Sequence, residues 1–155
     1  MIVFASEDVG NADPQALQVA IAASRAVEFV GLPECRINLS QAAAYLALAP
    51  KSNAAYTAVD AALADVRKEG NRPPPPHLRD GSYRGAQELG HGVGYRYPHA
   101  HGGWVDQQYL PDELSGRRYY VPIRGVESEM AARLEDTRRR AAGDHESEGS
   151  DERRD

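Results

Sequence analysis

The sequence predicts a mainly α fold: a helical bundle, then an irregular Gly/Tyr-rich segment with at most short strands, then a final helix. Three observations carry this. Residues 14 to 68 are rich in alanine and repeat apolar side chains at helical spacing. Four consecutive prolines, Pro73 to Pro76, cannot continue a helix. From Ser82 to Tyr120 the chain turns to glycine, tyrosine, histidine and arginine with little sustained period.

The elements follow in order. Ile2-Val3-Phe4 is an apolar run too brief for a helix of its own, yet apolar enough to need a partner surface. Glu7-Asp8 superficially looks like the acidic end of a nucleotide-hydrolysing strand, but no phosphate-cradling Gly-rich loop ending in Lys-Ser/Thr exists in the chain. A tight acidic turn is the better reading. Asp13-Pro14 starts a helix, with Asp13 as N-cap and Pro14 at a position that lacks an amide partner anyway. That helix spans 14–30 and stops at Gly31. Leu17, Ala20, Ile21 and Val27 form its stripe with Ser24, while Val19, Ala22, Ala23 and Ala26 lie off it. A second helix covers 33–49, with Ile37, Ala44 and Leu48 on one face, widened by Leu39, Tyr45 and Leu46. A third covers 52–68, capped by Ser52, with Ala55, Val59, Ala62, Leu63 and Val66 as its buried stripe.

Apolar faces wider than a ~100° stripe imply contact on more than one side. A compact antiparallel bundle with a central middle helix accounts for this; so does an alanine-lined face against another subunit.

The prolines read as a stiff connector, or less often as a ligand for an aromatic-grooved partner. Beyond them, Tyr83 to Leu89 suits one or two helical turns. Gly90, Gly92, Gly94, Gly102 and Gly103 favour loops. Trp104 to Tyr109 and Arg117 to Val121, the latter stopped by Pro122, suit short edge strands. Trp104 and the tyrosines suit pinning loops onto a helical core. The final helix spans 127–140, with Met130 and Leu134 as apolar contacts and Arg138, Arg139 and Arg140 in its last turn, where cations complement the helix dipole. Residues 141–155 read as a disordered charged tail, leaving 1–140 as the domain.

Charge narrows the function classes. The chain has 155 residues, 18 Lys+Arg and 23 Asp+Glu, for a net −5. Residues 144–155 carry −4 of that, so the rest is close to neutral. Counterion-release binding of a phosphate backbone favours a basic excess that this chain lacks. The one cysteine, Cys35, has no intramolecular disulfide partner, and no secretory leader or ~20-residue apolar span is present. A cytoplasmic protein is expected.

Candidate sites are few. His91, His99 and His101 fall within eleven residues, but with no cysteine beside them and no carboxylate set nearer than Asp106 they fit loop-bonding histidines better than a metal site. No serine sits in a Gly-flanked elbow, so a nucleophile triad is weakly supported. Cys35 reads as a small buried hydrophobe. No catalytic, cofactor-binding or metal residue is assigned.

Several stretches occur together in order: Phe4 to Pro14 (FASEDVGNADP), Leu48 to Tyr56 (LAPKSNAAY), Pro76 to Asp80 (PHLRD), Gly94 to His99 (GYRYPH), Gln108 to Pro111 (QYLP), and Arg117 to Tyr120 (RRYY) with Arg124-Gly125. Over residues 2 to 135 the chain resembles the replication-associated recombination protein A family (RarA, also called MgsA), AAA+ ATPases related to clamp loaders and to the Werner-helicase-interacting protein. The resemblance is to the part after the ATPase core and lid, a helical domain similar to the clamp-loader oligomerisation domain.

That resemblance implies a homotetramer, with ATP and Mg bound by an ATPase module in cis and not by this chain, in which no Walker A loop, Walker B strand or arginine finger is assignable. It implies replication, recombination and repair at stalled forks as the setting, and association with the nucleoid when acting on DNA. The chain itself is not expected to be an enzyme. The opening stretch becomes a boundary with the ATPase side rather than an active site. The alternative is a module for replication proteins or single-stranded DNA that uses segment 91–120, with Tyr95, Arg96, Tyr97, His99, Arg117 and Arg118 as tentative contacts. Aromatics beside arginines can stack on bases, at ~1–3 kcal/mol per base.

Overall fold

The computed structural model describes residues 1–151 and is mainly α, with no strand among the described residues. It divides into two compact units: Met1–Lys68 with Arg118–Ala132, and Glu69–Arg117 with Arg133–Asp155.

The first unit opens with a helical turn, α1 (Ile2–Phe4), which runs into a wider turn over Ala5–Val9 and a tight one over Gly10–Ala12. The apolar run thus does become helical, as the first turn of a longer coil. The Asp13 carboxylate then caps α2 (Gln15–Val30), accepting the Gln15 N–H at 3.0 Å, and its other oxygen accepts the Tyr45 hydroxyl at 2.7 Å. Gly31 ends α2 with its N–H on the Val27 carbonyl. α3 (Arg36–Leu48) packs on α2 and is followed by α4 (Ala54–Glu69), whose first turn is capped by Ser52 Oγ on the Ala54 N–H. All three helices lie within one to three residues of the ends expected from the sequence.

The core overlaps the expected stripes only at Ala20 and Leu46. Its cluster is Ala5, Val9, Ala16, Ala20, Leu46 and Ala49. Alanines let helix backbones approach closely and leave no room between them for larger side chains. Accordingly Val59, Leu63 and Val66, read from spacing as a buried stripe, are exposed, as are Leu17, Ile21, Ile37 and Leu48 from the apolar faces of the first two helices. In α4 the inward side is Ala54, Ala58, Ala62 and Asp65, with Asp65 accepting the Tyr119 hydroxyl at 2.9 Å.

Lys51 fixes the end of α3. Its ammonium donates to the carbonyls of Leu46 at 2.9 Å and Ala47 at 3.2 Å, and to that of Ala49, satisfying acceptors that a helix end leaves open.

In the second unit short tight turns replace regular structure: Pro76–Leu78, Gln87–Leu89, Pro98–His101 and Asp112–Leu114. Trp104 to Tyr109, and Arg117 to Val121 where the chain passes back to the first unit, form no strand, and around the former side chains bond the backbone. Gln107 holds both the N–H and the carbonyl of Arg96, at 3.2 and 3.0 Å, and His77 Nε2 donates to the Gln108 carbonyl at 2.8 Å.

α5 (Val126–Asp151) continues past Arg140, where the sequence reading ended it and began a disordered tail. Its Arg138 and Arg139 pair with Glu135 and Asp136 one turn back, so they brace the middle of the helix rather than its end. Met130 and Leu134 are exposed, and in the second unit the helix sets its Arg138 guanidinium 5.0 Å from the centre of the Trp104 ring. The expected tail beyond Asp151 lies outside the described residues.

Candidate functional site

Two features stand out in the first unit, a buried polar junction and an exposed apolar surface. The junction centres on Glu127, only 2% exposed, in the first turn of α5. One carboxylate oxygen accepts the N–H groups of Ile123 at 2.8 Å and Arg124 at 3.2 Å; the other accepts the Tyr120 hydroxyl. Ser52 also bonds this carboxylate. Asn11 donates its side-chain amide to Tyr120 Oη at 3.1 Å, and the Ser52 N–H reaches the Asp8 carbonyl at 2.8 Å.

Gly125 (φ +68°) lies so close to the opening coil that a Cβ there would sit 2.3 Å from the Ala12 carbonyl oxygen. Gly10 (φ +54°) approaches the Ser52 carbonyl in the same way, at 2.8 Å. Burial alone would raise the Glu127 carboxyl, but the bonds from Ser52, Tyr120 and the two backbone amides outweigh it and hold the group below its ordinary value. Tyr120 is pushed up, by burial first and then by its bond to Glu127. Glu127 and Ser52 are buried, Asn11 stands at the exposed edge, and both Glu127 oxygens are occupied by donors of the fold. The cluster locks the opening coil, the start of α4 and the start of α5 together.

The exposed surface is large and apolar. Phe29 is 94% exposed, Leu48 87% and Leu32 81%, and Tyr56, Val59, Leu63 and Val66 line the outer face of α4. Single exposed apolar residues are ordinary; a run of them on consecutive helices is not.

The six candidate contact residues fall in both units. Tyr95, Tyr97 and His99 share one loop of the second unit and are all exposed, the Tyr97 and His99 rings 5.1 Å apart. Arg96 is tied down by Gln107, which also donates to the Tyr109 hydroxyl at 3.1 Å. Arg117 belongs to that unit, whereas Arg118 belongs to the other. The structure does not gather the histidines. His91 sits between the Tyr83 hydroxyl, 2.6 Å from Nδ1, and Arg79, 3.3 Å from Nε2, away from the His99 loop. Among the described residues no group of three or more His, Cys, Asp or Glu is placed to hold a metal ion. Cys35 is fully buried, and no helix among the described residues is long and apolar enough to cross a membrane.

Sequence reasoning did not single out Glu127, Tyr120, Ser52 or Asn11 as a set. The available signal was that all but Glu127 fall in the stretches that carry the family resemblance, with Glu127 two residues beyond Arg124-Gly125.

The described residues thus form a helical domain with an alanine-rich core and an internal polar lock, and comparison with known proteins supplies its class. The family model described as MgsA AAA+ ATPase C terminal matches residues 1–138. The chain is 50% identical over 123 residues to replication-associated recombination protein A of Bacillus subtilis, covering 79% of this chain and 29% of that protein. It is 46% identical over 136 residues to the Escherichia coli K12 protein of the same name, covering 86% and 30%. With the ATPase WRNIP1 of Dictyostelium discoideum it shares 39% over 122 residues, covering 77% and 14%. The chain belongs to the MgsA AAA+ ATPase C-terminal family. It spans less than a third of the length of these relatives.

Proposed function

We propose that this domain is the oligomerisation module of a DNA-dependent AAA+ ATPase acting in replication, recombination and repair at stalled forks, and that it joins four copies. ATP and Mg are bound by an ATPase module in cis, and this domain performs no catalysis. The observation that carries the reading is the inverted burial: alanines fill the interior while Phe29, Leu32, Ile37, Leu48, Val59, Leu63 and Val66 face outward. Obligate interfaces resemble a domain core cut in half, and these are core residues without a core. Light scattering on the purified chain tests it. A tetrameric mass at micromolar concentration is expected, and a strictly monomeric mass overturns the reading.

A second reading rests on the exposed Tyr95 and Tyr97. These rings stand on a loop with open faces, suited to stacking on single-stranded bases. Salt-sensitive binding of a labelled oligonucleotide, weakened by Tyr95→Ala or Tyr97→Ala, is the expected result. No binding even at low salt removes it.

A further inference from the structure

The outer face of α4 has a regular geometry. Tyr56, Val59, Leu63 and Val66 are 43% to 54% exposed and recur at intervals of three, four and three residues. That spacing is the a/d repeat of a two-helix seam. The residues that follow the two valines, Asp60 and Arg67, are exposed along one edge of the seam, and small Ala55 and Ala62 line the other. α4 packs inward through Ala54, Ala58 and Asp65, with Ala62 at the margin between that side and the stripe, and within the stripe the Tyr56 hydroxyl bonds the Asp60 carboxylate one turn on.

We propose that α4 pairs with α4 of a second copy, antiparallel about a two-fold axis, so that Val59 of each copy meets Leu63 of the other and Tyr56 meets Val66. This rests on the assembly reading above and names one of its contacts. Charge decides the direction. In an antiparallel pair the edge carrying Asp60 and Arg67 meets its own copy, which brings each Arg67 within reach of the other copy's Asp60. A parallel pair sets that edge against the alanine edge, Asp60 against Ala55 and Arg67 against Ala62, and forms no ion pair. The alanine edge permits close approach of the two backbones in the antiparallel arrangement. A two-fold seam is consumed in forming a pair, so a tetramer then needs a second, different surface. The α2–α3 turn, with Phe29 and Leu32 exposed, offers one.

Disulfide trapping on the full chain tests the seam, and the native Cys35 does not interfere because it is buried. Val59→Cys and Leu63→Cys chains are mixed and oxidised under mild conditions. Mixed dimers exceeding the half expected from random pairing support the antiparallel seam, whereas a dominant self-link of the Val59→Cys chain overturns it. If the unmodified chain assembles but neither variant cross-links, the seam fails and the assembly reading survives; an unmodified chain that is monomeric overturns both.

A charge exchange gives a second readout, with helicity by circular dichroism confirming that the variants fold. Asp60→Arg is expected to raise the dissociation constant by about tenfold or more, and Asp60→Arg with Arg67→Asp to return it close to the original. Failure of the double variant to recover overturns the ion pairing.

Discussion

Replacing Glu127 by Gln preserves its shape and removes its charge, which isolates what the carboxylate does in the junction. The carboxylate accepts four donors, from Ile123, Arg124, Tyr120 and Ser52. Hydrogen bonds to a charged group contribute ~1.5–3 kcal/mol and neutral ones ~0.5–1.5, so neutralising the two backbone bonds costs ~1 kcal/mol each. The Tyr120 side is worse. Asn11 already donates to the Tyr120 oxygen, so the new amide nitrogen arrives as a second donor and leaves the phenolic hydrogen without its acceptor. A further ~1–2 kcal/mol is lost there, for a total of ~3 kcal/mol. With an m-value of ~2 kcal/mol/M, the urea midpoint should fall by ~1.5 M.

The pH dependence supplies an independent check. The folded-state carboxyl titrates below its ordinary 4.5, so its contribution is complete above that value and is lost as pH falls through the folded value. The gap between wild type and Glu127→Gln should therefore be full at pH 7 and narrow below pH 4.5. A midpoint shift under ~0.3 M at pH 7 would refute the reasoning, because it would mean the four bonds contribute no more than neutral ones.

Other substitutions separate the lock from the assembly surface. Gly125→Ala should destabilise by more than ~2 kcal/mol in urea melts, since the new methyl meets the Ala12 carbonyl and the positive φ disfavours a side chain. Gly90→Ala, at a left-handed position (φ +72°, ψ +11°) with open space around it, should cost only ~1 kcal/mol, and equal losses at the two glycines would count against the close approach. Lys51→Met should lower stability by ~1–2 kcal/mol through the uncapped end of α3, read as a lower thermal midpoint; no change would mean water replaces the ammonium without loss. Phe29→Ser should leave the stability of the isolated fold within ~0.5 kcal/mol, because the ring is 94% exposed, yet weaken assembly by ~1 kcal/mol or more in sedimentation equilibrium. An unchanged association constant would remove Phe29 from the interface.

Helix positions were legible because their punctuation is local. Asp13-Pro14, Gly31, Pro50 and Ser52 act through their own backbone and nearest amides, and the ends they imply match the structure within a few residues. Facing was not legible, for a physical reason. In α4 both Ala54-Ala58-Ala62 and Tyr56-Val59-Leu63-Val66 satisfy helical spacing, and hydrophobicity ranks the larger set as the core. The chain does the opposite, because close helix packing selects for small volume and not for apolar area.

The same limit hid the second unit. Extended runs such as Trp104 to Tyr109 carry strand propensity, but Gln107 and His77 supply bonds from side chains far along the sequence, which propensity does not see.

The polar junction draws together three of the stretches that carry the family resemblance, the first, the second and the last. Asp8, Gly10, Asn11, Ser52, Tyr120, Gly125 and Glu127 span most of the chain, and such a set invites an active-site reading. Geometry argues otherwise. The two glycines are there because carbonyls from distant segments approach within 3 Å of where a side chain would start, and the polar groups are there because the carboxylate between them needs donors on every side. A catalytic carboxylate needs an unfilled position facing a substrate; Glu127 has none. Its environment holds the acid ionised and occupied, which suits a clasp. With the opening coil fastened to the starts of α4 and α5, the apolar faces of α2, α3 and α4 are held in fixed register on the outside of the unit. A rigid surface loses less conformational entropy on association than a mobile one. In the proposed assembly the lock and the exposed surface are two parts of one arrangement, in which the polar interior sets the geometry and the apolar exterior supplies the affinity.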